Sequence, residues 1–202
     1  MGTKLLRCDP GERRRGASRA VVCVVALAAG LLAGCAHSDP TASSEKAADA
    51  ETLNALLGQE LVLVRAYAPS ARLAPGATLA VLLRLRGQDQ AHLDALTKAI
   101  RGVGGTTDAE ADDPELPVPK SRDEALTLAY EEENVALGQA LDAVSHLQTS
   151  AARGLAAALA ASHAQHLVVL RQALGSSRAA SIPGPFETGD EPPPGERAMM
   201  LP

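Results

Sequence analysis

Four stretches of the chain carry apolar residues at the spacing of an α-helix. Leucine, alanine and valine recur three and four residues apart, which at about 100° per residue collects them on one helical face. These stretches define helix A over about 45–71, helix B over about 75–101, helix C over about 122–147 and helix D over about 151–174. The pattern therefore predicts four long amphipathic helices.

Residues at the predicted helix ends support this division. Pro75 suits the first turn of helix B, where its missing N–H is not needed. Ser121 and Glu124 form a capping box at the start of helix C, and Thr149 or Ser150 can cap helix D. Glycines follow helices B and D and are typical of helix ends.

The lengths of the connections predict the topology. The A–B and C–D links are short, so each pair should form an antiparallel hairpin, whereas the B–C link over about 103–120 contains three prolines and is long enough to cross the bundle. We therefore expect an all-α, antiparallel four-helix bundle over 45–174, with one long crossover between helices B and C.

The composition excludes several other classes of protein. Aromatic residues make up 1% of the chain, with no tryptophan, two tyrosines and one phenylalanine. Strands of sandwiches and barrels draw on aromatic and β-branched residues, and platforms for single-stranded nucleic acid need aromatic side chains for stacking. Both are disfavoured here.

The N-terminal residues 1–34 are predicted to be a lipoprotein signal peptide. A basic segment with an arginine triplet precedes an apolar run over 20–33, which is too short to span a membrane comfortably. The run ends in Leu32-Ala33-Gly34-Cys35, which resembles the bacterial lipobox and implies cleavage before Cys35 and lipidation of its thiol. An uncleaved anchor or ordinary secretion is the alternative, and the arginine triplet leaves the export route open.

This signal predicts where the mature chain resides. We expect the lipid on Cys35 to hold it in the cell membrane, at the extracytoplasmic face, with residues 35–44 as lipidated cysteine and tether. Residues 175–202 are rich in glycine and proline and predict an extended tail, which Phe186 could dock on the bundle. The sequence identifies no protein partner.

Removing the signal changes the charge and the thiol content. The segment 1–34 carries six basic and two acidic side chains, so its removal lowers the net charge from −5 to −9. A chain this acidic repels phosphate, which argues against nucleic-acid binding. Cys8 and Cys23 leave with the signal and Cys35 takes lipid, so no thiol remains for disulfides, zinc–thiolate sites or nucleophilic catalysis.

Ionisable side chains interrupt the apolar face of every predicted helix. Helices A and C carry one glutamate each, while B and D carry a pair three residues apart, whose side chains project side by side. Burying a bare carboxylate costs several kcal/mol, so three of them in one core need protons, counter-ions or a metal. The set comprises Glu60, Asp89, His92, Glu133, His163 and His166.

An internal repeat relates the two halves of the bundle. Alignment of helix A with helix C places Glu60 on Glu133. Alignment of helix B with helix D, at nearly the same offset, places Asp89 and His92 on His163 and His166. The repeat suggests two similar helix pairs facing one another, although alanine- and leucine-rich helices can match by accident.

On these residues, over about 47–190, the chain resembles the ferritin-like superfamily, and specifically small exported bacterial ferritin-like proteins of the desiccation-related type. The resemblance implies glutamate on helices A and C and Glu-x-x-His on B and D, directed inward to two iron or manganese ions. Glu60 and Glu133 match the single glutamates, and His92 and His166 match the two histidines.

Two residues depart from that pattern. Asp89 and His163 stand where the bridging glutamates belong, and an imidazole does not bridge two metals as a carboxylate does. We therefore expect one transition-metal ion (iron, manganese or zinc), and the nitrogen-rich ligands shift preference toward zinc, copper or a single iron. We further expect His163→Glu to raise the metal content from one ion toward two.

The alternative is a metal-free lipoprotein that acts as a partner-binding or envelope-stress module, with Asp89 paired to Arg86. The sequence does not establish an enzyme; any activity would be that of a metal-dependent oxidoreductase of ferroxidase, peroxidase or catalase type. Tyr67 and Tyr130 fall near the site, where core packing is their expected role. His37 and His146 lie outside the cluster.

Overall fold

A computed structural model describes residues 40–108, 115–183 and 188–189. Within these residues the chain is helical and has no strand. Four long helices form the bundle, and α2 is a single short turn. The helices are α1 Pro40–Ala66, α2 Ser70–Leu73, α3 Ala77–Gly102, α4 Arg122–His146 and α5 Ser150–Ala173. The predicted all-α four-helix bundle is confirmed.

The long helices pack in the order α1, α3, α5, α4 around the bundle. α1 runs antiparallel to α3, since Asn54 exchanges hydrogen bonds with Thr106 and Asp108 just beyond the end of α3, at 3.0 and 2.9 Å, whereas Glu60, farther along α1, lies beside the earlier His92. α1 is also antiparallel to α4, because Asp49 accepts a 2.6 Å hydrogen bond from the backbone of Gln148. The crossover from α3 to α4 therefore returns the chain along the length of the bundle.

The first helix differs from its predicted bounds at both ends. It begins at Pro40, ahead of the predicted start at 45, so part of the expected tether is helical. Proline is well suited to a first helical position. The helix ends at Ala66 rather than at 71, because Pro69 has no N–H to donate and its ring obstructs a continuing helix.

The prediction that Pro75 lies in the first turn of the next helix is wrong. α3 begins at Ala77, and Gly76 precedes it with φ of 70°. This left-handed conformation is available to glycine at little cost, and it turns the chain out of the helical path. Pro75 consequently lies in the connection between α2 and α3.

The predicted starts of the last two long helices are confirmed. The Ser121 hydroxyl accepts a 3.2 Å hydrogen bond from the N–H of Glu124, whose carboxylate accepts one of 2.8 Å from Lys120 N–H. Thr149 is the N-cap of α5, with its hydroxyl accepting from Ala152 N–H at 3.4 Å. The two hydroxyl contacts pair backbone donors that a helix leaves without partners at its start, whereas Lys120 N–H lies just before the N-cap.

Several sequence predictions fall outside the described residues. They are the signal peptide over 1–34, the lipidation of Cys35, His37, and the docking of Phe186. No helix in the described part of the chain is both long enough and apolar enough to cross a membrane.

The core between the four long helices consists mainly of leucine and alanine. Each fully buried leucine contributes about 1.5–3 kcal/mol through removal of its side chain from water. The small alanines on α4 and α5 allow these two helices to approach closely. Fully buried leucines include Leu53, Leu63, Leu82, Leu96, Leu126, Leu167 and Leu170.

Candidate metal centre

All six predicted residues face the core and meet there. Five of them are almost completely buried, and the side chain of His92 is 15% exposed. Every long helix contributes, because the i, i+3 pairs on α3 and α5 face the single glutamates on α1 and α4. The residues are Glu60, Asp89, His92, Glu133, His163 and His166.

Glu133 is the most heavily contacted carboxylate of the cluster. His163 Nδ1 lies 2.8 Å from its Oε2, and His166 Nδ1 lies 2.9 Å from its Oε1. The Tyr67 hydroxyl donates a 2.6 Å hydrogen bond to the same Oε1. The core-packing role expected for Tyr67 is therefore incomplete, since this buried tyrosine also positions a cluster carboxylate.

Glu60 holds the opposite side of the cluster. Its Oε1 lies 3.0 Å from His163 Nε2 and 3.2 Å from His92 Nδ1. The imidazole of His163 thus lies between two glutamates, with one ring nitrogen directed at each. The repeat is visible in space as well, because His92 approaches Glu60 as His166 approaches Glu133.

Asp89 has a different environment. Its Oδ1 lies 3.4 Å from His166 Nδ1 and 3.6 Å from His92 Nδ1, and neither of its oxygens has a hydrogen-bond partner among the described residues. Arg86, on the same helix, is exposed. The alternative in which Arg86 pairs with Asp89 is therefore not the arrangement in the structure.

Burial and neighbouring groups shift the pKa values of the three cluster carboxylates in different directions. Burial, together with the charges of Glu133 and Glu60, raises the pKa of Asp89 to about 9. Burial alone would raise the pKa of Glu133, but hydrogen bonds with His163 and His166 outweigh it and lower that pKa to about 2. Burial alone would also raise the pKa of Glu60, but the hydrogen bond with His163 and the nearby ring of His92 lower it overall.

The pKa of His163, at the centre of the cluster, shifts upward. Burial alone would lower the pKa of His163, but its hydrogen bonds to Glu133 and Glu60 raise it to about 10. Burial and the charge of Glu133 raise the pKa of Tyr67 well above its usual value. In the metal-free chain at neutral pH, protons on Asp89 and His163 therefore offset part of the carboxylate charge.

Residues around the cluster orient its ligands, and the periodicity did not identify them. Gln88 Oε1 lies 3.1 Å from His166 Nε2, and the Ser162 hydroxyl lies 3.4 Å from the same nitrogen. Gln88 is exposed and lies beside the apolar stripe, so only its position next to Asp89 could have indicated a role. Metal-bound histidines commonly donate their second N–H to such a group.

Tyr130 does not contact the cluster through its hydroxyl. That oxygen accepts hydrogen bonds from Arg171 Nε and Nη2, at 3.2 and 3.1 Å, and both residues are buried. The apolar pattern gave no indication of a buried arginine on α5. His146 is exposed and approaches Asp142 at 3.4 Å, apart from the six core residues, as expected.

The cluster offers two sets of metal-ligating atoms, with the atoms of each set within 4.8 Å of one another. One set comprises Asp89, Glu133, His163 and His166, and the other comprises Glu60, His92 and His163. Two carboxylates and two imidazoles suit a divalent transition-metal ion. The buried Asp89 oxygens, which lack hydrogen-bond partners, are well placed to accept such an ion.

Comparison with known proteins identifies the family. A crystal structure of a conserved hypothetical protein from Mycobacterium tuberculosis is similar, with a TM-score of 0.59 and 22% identity, over 63% of this chain and 98% of that chain. At this identity the similarity shows the fold alone, and no curated protein matches. The exported, desiccation-related type stays a prediction. Residues 42–176 match the ferritin-like domain family model, so the chain belongs to the ferritin-like domain family.

Proposed function

We propose that the protein is a lipid-anchored metal-binding bundle of the cell envelope, with a divalent transition-metal ion in its core. The first ion is assigned to the set formed by Asp89, Glu133, His163 and His166. Iron, manganese, zinc or copper would suit these nitrogen and oxygen ligands. A bound ion would supply a positive charge to a core rich in carboxylates.

The observation that carries this proposal is the state of Asp89. Its side chain is fully buried on α3 and both of its oxygens lack hydrogen-bond partners among the described residues. An unpaired buried carboxyl group is costly unless it is protonated or coordinates a metal. An ion at this position would give the Asp89 carboxylate the partner that it lacks.

The surroundings also support a binding role. Glu60 can orient His163, Gln88 can orient His166, and Tyr67 fixes Glu133, at distances between 2.6 and 3.1 Å. Contacts of this kind fix ligand orientation and raise metal affinity, with losses of about 10–100-fold when they are removed. The core is thus organised around its ligands before an ion arrives.

Metal content tests the proposal directly. The full chain would be purified from membranes in detergent without chelators, and its metal measured by inductively coupled plasma mass spectrometry. We expect at least one transition-metal ion per chain, and a large reduction in Glu133→Gln. Asp142→Asn, an exposed carboxylate on the same helix, is the matched control and should leave the content unchanged. Metal at background level in the wild type, even after incubation with Zn²⁺, would favour the metal-free alternative.

The anchoring part of the proposal depends on the N-terminal sequence. Cys35 follows Leu32-Ala33-Gly34 at the end of the apolar run, and α1 begins soon afterwards at Pro40. A lipid on Cys35 would therefore hold the bundle close to the outer surface of the cytoplasmic membrane. One acyl chain alone binds a membrane only weakly, so stable anchoring needs more than one.

Labelling of cells with radioactive palmitate tests the anchor. We expect incorporation into the wild type and none into Cys35→Ala. Cys23→Ala, which changes a thiol within the signal, is the matched control and should still be labelled. Equal labelling of Cys35→Ala and the wild type would contradict lipidation at this residue.

A further inference from the structure

His163 belongs to both sets of ligands in the core. Its Nδ1 lies 2.8 Å from Glu133 Oε2 and its Nε2 lies 3.0 Å from Glu60 Oε1. Of the remaining residues, Asp89, Glu133 and His166 belong to one set and Glu60 and His92 to the other, although His92 Nδ1 also lies 3.6 Å from Asp89 Oδ1. The ring therefore separates two binding positions and presents one nitrogen to each.

The Glu60 side also has buried atoms without partners. Glu60 Oε2 and His92 Nδ1 have no hydrogen-bond partner among the described residues, although His92 Nδ1 is 3.2 Å from Glu60 Oε1. Glu60 is 2% exposed. These orphaned atoms resemble those of Asp89 on the first side, and an ion could use them in the same way.

We infer that His163 is a bridging ligand and that the core holds two divalent ions, one on each nitrogen of its imidazole ring. This inference rests on the proposed function. The expectation of a single ion assumed that a histidine in a bridging position can serve only one metal. Here the ring is oriented so that each nitrogen reaches a different set of ligands.

The charges of the ligands agree with two divalent ions. The three carboxylates of Glu60, Asp89 and Glu133 carry three negative charges. His163 adds a fourth when its ring gives up its last N–H proton to solvent as the second ion binds. Two divalent cations then neutralise the core completely.

A nitrogen bridge predicts a distinct chemical preference. Imidazole favours copper and zinc more than the carboxylate bridge of the family does. An imidazole ring also holds its two ions farther apart than a carboxylate, because the ring itself lies between them. We therefore expect the pair to load readily with Cu²⁺ or Zn²⁺.

Metal counting in matched variants tests the bridge. The full chain in detergent would be saturated with Zn²⁺, freed of unbound ion and analysed for bound zinc. We expect two ions in the wild type, one in His92→Ala, which removes a ligand of the Glu60 side, and one in His166→Ala, which removes a ligand of the Glu133 side. His146→Ala, a surface histidine, should retain two. Circular dichroism would verify that each variant folds.

Electron paramagnetic resonance of the copper-loaded protein tests the bridge without any variant. Two Cu²⁺ ions on one ring are magnetically coupled, so at low temperature the wild type should show fewer spins than copper ions. Copper in His92→Ala should account for its full spin count.

Different results would separate the two proposals. One ion in both the wild type and His92→Ala would mean that Glu60 only orients His163, which overturns the bridge and leaves the proposed function intact. Two ions with a full spin count would also overturn the bridge. An absence of bound metal in every variant would overturn both.

Discussion

Two aspartates of this bundle are completely buried, yet their surroundings differ. Asp49 on α1 accepts hydrogen bonds from Gln148 N–H at 2.6 Å and from Thr149 N–H and hydroxyl at 2.9 and 2.6 Å. Asp89 on α3 accepts none among the described residues. Both have 0% exposure. Burial alone therefore does not reveal which carboxylate stabilises the fold and which one is suited to bind a metal ion.

The difference is also visible in their proton affinities. Burial alone would raise the pKa of Asp49, but the donors at Thr149 and Gln148 lower it overall. Burial raises the pKa of Asp89 to about 9, and the nearby charges of Glu133 and Glu60 act in the same direction. Asp49 also faces the N-terminus of α5, where the helix dipole favours a negative charge. A buried carboxylate that is supplied with hydrogen-bond donors can stay ionised, whereas one surrounded by other carboxylates needs a proton or a cation.

The largest effect is expected when Asp49 is changed to asparagine. The amide offers one acceptor oxygen to three donors and carries no charge, so at least one buried donor loses its partner. We expect the free energy of unfolding to fall by about 3 kcal/mol, measured by urea denaturation in EDTA. Asp142→Asn, on an exposed carboxylate, should change it by less than about 0.5 kcal/mol. An equally small loss in Asp49→Asn would refute the structural role.

The same substitution at Asp89 should have the opposite sign in the metal-free protein. Asparagine removes an ionisable group from a carboxylate-rich core and breaks no hydrogen bond, so stability in EDTA should rise by about 2 kcal/mol. Addition of Zn²⁺ at about 100 times its Kd should stabilise the wild type by about 2.7 kcal/mol and Asp89→Asn much less.

Asp94→Asn, on the exposed face of the same helix, is the matched control for Asp89. It should leave both the stability in EDTA and the response to Zn²⁺ unchanged. If Asp89→Asn instead destabilises the metal-free chain as much as Asp49→Asn does, then Asp89 has a structural partner and the contrast between the two aspartates is lost.

The sequence predicted the buried His/Glu/Asp cluster better than it predicted the hydrogen bonds of Asp49. Glu60, Asp89, His92, Glu133, His163 and His166 interrupt apolar stripes, and helical periodicity is enough to show that such residues face inward. Asp49 meets Gln148 and Thr149, which lie far away along the chain. That pairing depends on the packing of α1 against α4, which no local sequence pattern predicts.

The sequence also could not predict how the buried side chains are oriented. Helical spacing placed His163 in the core, but the direction of each ring nitrogen depends on its rotamer and on Glu60 and Glu133 from two other helices. The helix ends illustrate the same limit. Ser121 and Thr149 carry local capping signals and were predicted, whereas the break at Gly76 depends on its φ of 70°.

The two aspartates should also differ in how the free energy of unfolding depends on pH. This effect is smaller, since one titrating group changes that free energy by at most about 1.4 kcal/mol per pH unit. Because the pKa of Asp49 is lowered on folding, its stabilising contribution is present above the ordinary pKa of 3.8 and is lost as the pH falls through the lowered value. The stability gap between the wild type and Asp49→Asn should therefore narrow below about pH 4.

The pKa of Asp89 is raised on folding, so the sign is reversed. Its protonated form favours the folded state below pH 3.8, and this contribution is lost progressively as the pH rises to about 9. The advantage of Asp89→Asn should thus widen between about pH 4 and about pH 9, measured by urea denaturation in EDTA. If the free energies of unfolding of Asp49→Asn and Asp89→Asn changed with pH in the same way, the assignment of opposite roles to the two aspartates would be contradicted.

The smallest expected change in stability concerns one of the three hydrogen bonds that Asp49 accepts. The Thr149 hydroxyl donates to Asp49 at 2.6 Å and also caps α5 by accepting from Ala152 N–H. Thr149→Ala should cost about 1 kcal/mol, whereas Ser150→Ala, at the exposed first residue of α5, should cost less. In the Asp49→Asn background the cost of Thr149→Ala should shrink by at least about 0.5 kcal/mol, since contacting residues couple. Strictly additive costs would show that the hydroxyl acts on the helix alone, and that Asp49 depends on its two backbone donors.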